Sequence, residues 1–312
     1  MTSGDRLEVL RHGTVVPAQP LEVGPFRLSV SASPPWDEAL ALLLSGFARA
    51  EVPADLGQRL RFELALTTAT RTHHGLPRSA RFALEDDTWV DASEGWDAQV
   101  RLGDRTAPGL RAGQAEPLVA TFALRDEPPI GASPRWAIRR ELVTSALRAA
   151  LSLAAPHAGG LLLHASAMVD PEGRGVVFLG PSGEGKTTLT RRLPWQVLSD
   201  DAALVWRDAT GSGWHVAGTP LRGKEGLARS ARTAPLTHIV TLQKGRPLAL
   251  TLASPSSAMA AILARTIYYA APDARVLGVM QALAEEVRAS TLGSRLDDDL
   301  LALAPRLAGG EA

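Results

Sequence analysis

Over roughly the first 130 residues, apolar and polar positions alternate in short runs broken by turn residues, the period-2 pattern of half-buried strands. Runs at 7–16, 26–32, 60–67, 80–84, 98–102 and 118–124 fit it. One segment among them reads as a helix: 36–50 follows Pro34 and Pro35 and carries Leu40, Leu43, Leu44 and Phe47 at helical spacing. Pro128, Pro129, Gly131 and Pro134 then punctuate the chain, after which 136–155 sets Ile138, Leu142, Leu147 and Leu151 toward one side of a second helix. This pattern places a boundary near residue 130, with a smaller strand-rich domain over 1–130 and a second domain over 131–312.

After that helix comes an apolar run of strand length, 161–169, followed by a turn over 170–175 and a further run at 176–179, which predicts two adjacent buried strands. A short helix starting at Lys186 must end by Pro194, and 196–199 reads as a strand that closes on Asp200 and Asp201. Further strands are expected at 203–207, 214–217, 237–243 and 248–252, with helices over 257–270 and 275–289. No internal repeat is visible, and Gly309 and Gly310 read as a frayed end. The expected fold class is α/β in the broad, mixed α+β sense.

Composition narrows the function classes. With 312 residues, 45% hydrophobic and 21% charged, the chain is expected to bury a substantial core, which excludes a fibrous or wholly disordered protein. Basic and acidic residues balance at 33 each, so there is no bulk charge to draw nucleic acid or an anionic membrane, and neither is an expected partner. The absence of cysteine excludes disulfides, thiolate metal sites and cysteine nucleophiles. The first residues lack signal-peptide anatomy and no segment reads as a membrane span, so the cytoplasm is the expected compartment. Only three lysines stand among the 33 basic residues, and there is no asparagine. Under such a bias, a retained lysine draws attention.

One of the three lies in Gly180-Pro-Ser-Gly-Glu-Gly185-Lys186-Thr187, which matches the phosphate-binding loop pattern between a predicted strand and a predicted helix. Glycines let successive backbone N–H groups turn inward as an anion nest, and the lysine neutralises outer phosphates. Gly180, Ser182, Gly183, Glu184, Gly185, Lys186, Thr187 and Thr188 are therefore the expected nucleotide cradle, with the Thr187 hydroxyl available to Mg²⁺. A chain without asparagine cannot carry the Asn-Lys-x-Asp base reader of GTPases. Asp200 and Asp201 fall at a strand end where one carboxylate can hold Mg²⁺ and the other can accept a proton from an incoming hydroxyl. His164, mid-strand in an apolar run, is either a satisfied core residue or a group turned toward the nucleotide.

His164-Ala-Ser-Ala, the segment Phe178 to Leu189 and Leu198-Ser-Asp200-Asp201 together resemble the catalytic domain of HPr kinase/phosphorylase and its relatives, across roughly residues 135–270. The resemblance implies the nucleotide fold of phosphoenolpyruvate carboxykinase, with ATP and Mg²⁺ as cofactors. It implies His164 facing the γ-phosphate, Lys186 and Thr187 as loop ligands, Asp200 as the base and Asp201 as the metal carboxylate. It also implies homo-oligomers and the reverse, phosphorylase reaction. Three features depart from HPr kinase: Thr188 stands where that family has a glutamate, the helix before the acidic pair is shorter, and the HPr-specific signature is not recognisable downstream. The nucleotide chemistry is thus expected to carry over and the HPr substrate is not.

The expected function is an ATP- and Mg²⁺-dependent kinase acting on a hydroxyl, first of all a serine of a protein or peptide. A small-molecule acceptor such as free serine or a sugar fits the same site, and a non-catalytic ATP-binding switch or scaffold is the alternative from another class. Gly218-Thr-Pro-Leu-Arg222-Gly-Lys224-Glu225 resembles a downstream segment of the related kinases, which makes Arg222 and Lys224 candidate phosphate or substrate contacts, against an ordinary basic loop. Lys244 reads as a solvated turn residue, His73 and His74 as a pair without a third metal ligand, and Asp297 to Asp299 as a helix start. Trp36, Trp89 and Trp96 are core or edge packing residues, or an aromatic recognition surface.

Overall fold

The structure is a computed structural model that describes residues 7–10, 14–17, 21–45, 47, 60–68, 83–85, 88–93, 96–101, 118–124, 135–209, 213–221, 223, 230–269, 272–295 and 304–307. The chain divides into two compact units, Met1–Ser45 with Gln58–Ala154, and Gly46–Gly57 with Ala155–Ala312. The first contains β1 (Leu7–Leu10), β2 (Thr14–Pro17), β3 (Leu21–Val23), β4 (Phe26–Ala32), α1 (Asp37–Leu44), β5 (Leu60–Thr68), β6 (Ala83–Glu85), β7 (Thr88–Ser93), β8 (Trp96–Arg101), β9 (Leu118–Leu124) and α2 (Arg135–Ala154). Its strands form one sheet in the order β1-β2-β4-β5-β9-β8-β7-β6, with β3 paired to β4. Alternation drives the burial: Phe26, Leu28, Val30 and Ala32 are fully buried while Arg27 is exposed, and Phe62, Leu64 and Leu66 continue that layer on β5. Helices α1 and α2 pack on each other, and α2 also packs on β5, β8 and β9. That packing puts the division after α2, where the sequence pattern alone places it ahead of the helix. Trp36 is fully buried, which answers the question for that tryptophan in favour of core packing.

The second unit follows a 3-10 turn at Ala155–Ala158 with β10 (Gly160–Val169), β11 (Gly175–Leu179), α3 (Lys186–Arg192), β12 (Gln196–Ser199), β13 (Ala202–Arg207), β14 (Trp214–Ala217) and β15 (Thr233–Lys244). It ends with β16 (Ala249–Leu252), α4 (Pro255–Arg265), α5 (Ala274–Glu286), β17 (Arg288–Ser294) and α6 (Ala304–Leu307). Pairing runs β11-β10-β13-β14-β15 and closes from β15 back to β11, a ring of five strands; β17 and then β16 extend it beyond β15. Strand β15 lies between β11 and β17 and runs parallel to both. Residues Leu161, Leu163, Ala165, Val177, Ala203, Val205, Val216 and Ile239 share one core with Ile262 of α4 and Met280 and Leu283 of α5. The intervening residues Met168, Val176, Phe178, Val240 and Leu242 pack on the other side against Leu189 of α3 and Leu307 of α6. β11 is flanked on both edges and covered on both faces, which is why all five of its residues are apolar or glycine and buried. The mixed α/β class expected from the sequence is the class observed.

The expected helix over 275–289 is corrected at its end: α5 stops at Glu286 and β17 begins at Arg288. Val287 and Ala289 continue the helical spacing, but a full parallel pairing of β17 with β15 satisfies the backbone there instead. Strands β3 and β7 are also additions to the sequence reading.

His238 of β15 is fully buried and ties this region together. Its Nδ1 donates to the Leu307 carbonyl at 2.8 Å and its Nε2 accepts from the Ser290 hydroxyl at 2.9 Å, an arrangement that suits the neutral ring. Burial lowers its pKa, opposed by the Leu307 carbonyl and reinforced by Arg288. The unfolded chain therefore binds the proton first, and folding stability falls as pH drops through the ordinary histidine pKa, at up to about 1.4 kcal/mol per pH unit. Thermal melts between pH 5 and 7.5 are expected to show a shallower acid-side fall for His238→Gln than for the wild type; parallel curves would contradict the assignment.

Candidate functional site

The turn after β11 is built by glycines. Gly183 and Gly185 hold φ of 90° and 95°, a region that side chains with a Cβ rarely adopt, and open space surrounds both. Gly185 caps α3, whose first residue is Lys186. The Lys186 side chain folds back over the turn and donates from Nζ to the carbonyls of Gly180 at 2.6 Å and Pro181 at 3.0 Å. At 8% exposure it is nearly enclosed, and burial lowers its pKa, with Arg265 acting in the same sense and Asp201 and Glu184 opposing. Glu184 accepts from the Lys244 amide at 2.5 Å, which pins the turn to the end of β15. Ser182 is exposed and Thr187 and Thr188 are half-buried; the Thr187 carbonyl accepts from the Thr190 hydroxyl at 2.9 Å.

The acidic pair occupies an irregularity in a long antiparallel pairing. β12 pairs with β10 from Val169 to Ala167, and β13 pairs with it from His164 to Gly160. Asp200 and Asp201 lie between, opposite Ala165 and Ser166, where the Ala165 amide donates to the Asp201 carbonyl at 3.0 Å. The Ser199 hydroxyl fixes the corner by accepting from the Ala202 amide at 3.1 Å and donating to its carbonyl at 2.8 Å. Two residues face two across this interruption, and the register shift of β12 on β10 lies just before it, between Ala167 and Met168, the kind of strand irregularity common beside functional sites. Asp201 points to His164, with its Oδ1 3.4 Å from Nδ1. His164 sits opposite Ala202 and alternates with the core residues Leu163 and Ala165, so its ring, 39% exposed, leaves the core. His164 is therefore not a satisfied core residue.

Asp201 is the group common to both partners, since it also acts electrostatically on Lys186. Lys186, Asp201 and His164 are therefore brought together. Asp200 is 7% exposed and turns its carboxylate to Gly223, whose amide donates to Oδ1 at 3.1 Å. A Cβ at Gly223 would lie 2.8 Å from Asp200 Oδ2, so only glycine lets the backbone approach so closely. Arg222 and Lys224, on either side of it, lie outside the described residues, as do His73, His74 and Asp297 to Asp299; of Trp89 and Trp96 only the strand backbone is described.

Arg265 and Gly223 were not among the candidates from sequence. Arg265 ends α4, and beyond it Thr266 bridges to Leu163 while the Ile267 amide donates to the Leu162 carbonyl at 2.8 Å. This stitching places Arg265 close enough to act on the Lys186 ammonium. The only local signal was a basic residue at a helix end, which the helix dipole explains equally well. Two cations, the Asp201 carboxylate and an imidazole converge beside an open glycine turn, with the neighbouring Asp200 turned to Gly223, a set able to bind an anion and to move a proton.

Among solved structures, the Hpr(Ser) kinase/phosphatase from Coxiella burnetii is similar at 15% identity and a TM-score of 0.26, over 47% of this chain and 88% of that one. No curated protein matches the chain. A family model described as SynChlorMet cassette protein ScmC matches residues 139–294, from within α2 to the last residue of β17. The match covers half of the 312 residues and contains the glycine turn, the acidic pair, His164, Gly223 and Arg265. By that match, the chain belongs to the ScmC family of SynChlorMet cassette proteins.

Proposed function

We propose that this protein is an ATP- and Mg²⁺-dependent kinase that transfers the γ-phosphoryl group to a hydroxyl, with a serine of a protein or peptide as the leading acceptor class. The observation that carries the reading is the enclosure of the Lys186 ammonium against the Gly180–Gly185 turn, with Asp201 and His164 beside it. The fit to a nucleotide is chemical: among the described residues, two backbone carbonyls accept from this nearly buried cation, and Gly183 and Gly185 leave open space where a Cβ would stand. Phosphate oxygens are stronger acceptors for an ammonium than neutral carbonyls. Thr187 and Asp201 are the donors that would hold Mg²⁺, the rest of its shell coming from phosphate and water in the usual way for this ion. When bound, the ion neutralises charge on the transferring phosphates.

The chain's own residues then divide the work. Lys186 and the turn amides hold the phosphates that leave. Asp200 takes the proton of the acceptor hydroxyl as its oxygen forms a bond to the γ-phosphorus and the bond from that phosphorus to the bridging oxygen of ADP breaks. His164, oriented by Asp201, and Arg265 stabilise the charge on the group in flight. The mixture of roles explains why two adjacent carboxylates face different partners. Phosphorus NMR of ATP incubated with the protein, Mg²⁺ and candidate peptides, serine or sugars tests the class: a new phosphomonoester resonance beside ADP is expected, and release of inorganic phosphate alone would contradict transfer.

The Gly223 contact supplies a sharper test of the role of Asp200. Gly223→Ala is expected to lower kcat by about 10–100-fold by displacing the carboxylate, since misplacement on the 1 Å scale costs about that much. ATP affinity is expected to stay within about twofold, because no phosphate contact is removed. Equal losses in kcat and affinity would contradict Asp200 as the proton acceptor.

A further inference from the structure

The three parallel strands β11, β15 and β17 end on one edge of the sheet, and the segments beyond their ends converge. After β11 comes the Gly180–Gly185 turn, β15 ends on Lys244, and Arg295 comes directly after β17. Between them is a cleft with Leu189 and Leu242 as apolar lining, Thr188 and Arg192 contributed by α3, and Lys244 and Arg295 contributed by the strand ends. In open α/β sheets, clefts beyond the carboxyl ends of parallel strands are the usual ligand position. The rim is fixed by backbone: the Lys244 amide donates to Glu184, and the Gly245 amide donates to the Ser294 carbonyl at 2.8 Å. Glu184 is thereby engaged, and the remaining charged side chains lining the cleft, Arg192, Lys244 and Arg295, are all cationic.

Apolar lining beside three cations suits a ligand with an apolar ring and a phosphate. Neither Lys186, Asp201 nor His164 lines this cleft, whereas Gly183 and Gly185 do, so it continues from the turn away from the reacting groups. We propose that the cleft takes the nucleoside and α-phosphate of the bound nucleotide, with Lys244 and Arg295 as the cations for that phosphate. The assignment rests on the kinase reading and gives a direction to the nucleotide in it: the γ-phosphate lies toward Asp201 and His164, and the nucleoside lies toward α3 and the ends of β15 and β17.

The test is calorimetric titration of the full chain, in Mg²⁺, with ATP, ADP and inorganic pyrophosphate, for the wild type, Lys244→Ala, Arg295→Ala and the double variant. Both positions are solvent-exposed, and Lys244→Met and Arg295→Gln preserve side-chain bulk should alanine disturb the strand ends. Loss of the two charge-assisted contacts is expected to weaken ATP and ADP by about tenfold or more, with pyrophosphate, which fills only the outer phosphate places, changed by less than about twofold. Unchanged ATP affinity, or equal weakening of all three ligands, would overturn the assignment. A wild-type chain that binds none of them would overturn the kinase reading and this assignment with it, and is recognised because it appears before any substitution is made.

Discussion

Replacing Lys186 with methionine is expected to weaken ATP binding by about 10²–10³-fold and to abolish turnover, the loss anticipated when one partner of an enclosed charge pair is truncated. The side chain has two opposing stakes. In the protein alone it is nearly enclosed, burial has depressed its pKa, and it donates to the carbonyls of Gly180 and Pro181. Methionine preserves the length and apolar stem, so the fold is expected to survive, as circular dichroism would show. The cost falls on the ligand, whose phosphates lose their ammonium partner. A variant that keeps wild-type affinity would mean that the turn does not hold phosphate through this lysine.

Asp200→Asn carries the second large effect. The substitution keeps shape and leaves an amide oxygen to accept from Gly223, but removes the capacity to take a proton. Turnover is expected to fall by about 10²–10⁴-fold, the range spanned by general base contributions, with ATP affinity nearly unchanged. The split separates the two function classes: a non-catalytic nucleotide switch needs no proton acceptor, and its behaviour would survive the change intact. Comparing single-turnover rates with equilibrium ATP binding for the same variant measures both arms.

Much of the site was legible in the sequence because its requirements are local. A turn that needs positive φ at Gly183 and Gly185 must spell itself with glycine, and the lysine after it stands out in a chain with only three. The two strands before it were readable as continuous apolar runs because they are buried on both faces. The acidic pair was visible, but its division of partners was not: Asp201 meets His164 and Asp200 meets Gly223 only because β12 and β13 run as one interrupted partner of β10. Arg265 was hidden for the same reason, its place being set by the bridge from Thr266 to Leu163, far back along the chain, rather than by any neighbour in sequence. β17 was concealed by its own residues, since Val287 and Ala289 extend the helical spacing and no proline or glycine marks the change. Its identity is decided by pairing with β15, a long-range contact that periodicity does not record.

Kinase function stands or falls on whether phosphate moves to an acceptor. The measurement is transfer of label from γ-labelled ATP in Mg²⁺ to a phosphatase-treated lysate of the protein's own source, with wild type and Asp200→Asn side by side. A labelled protein, peptide or metabolite is expected to appear with the wild type and to be lost with the variant. ATP bound tightly in a Lys186-dependent way, with no label transferred by either protein, would contradict a kinase and leave a nucleotide-binding switch in its place.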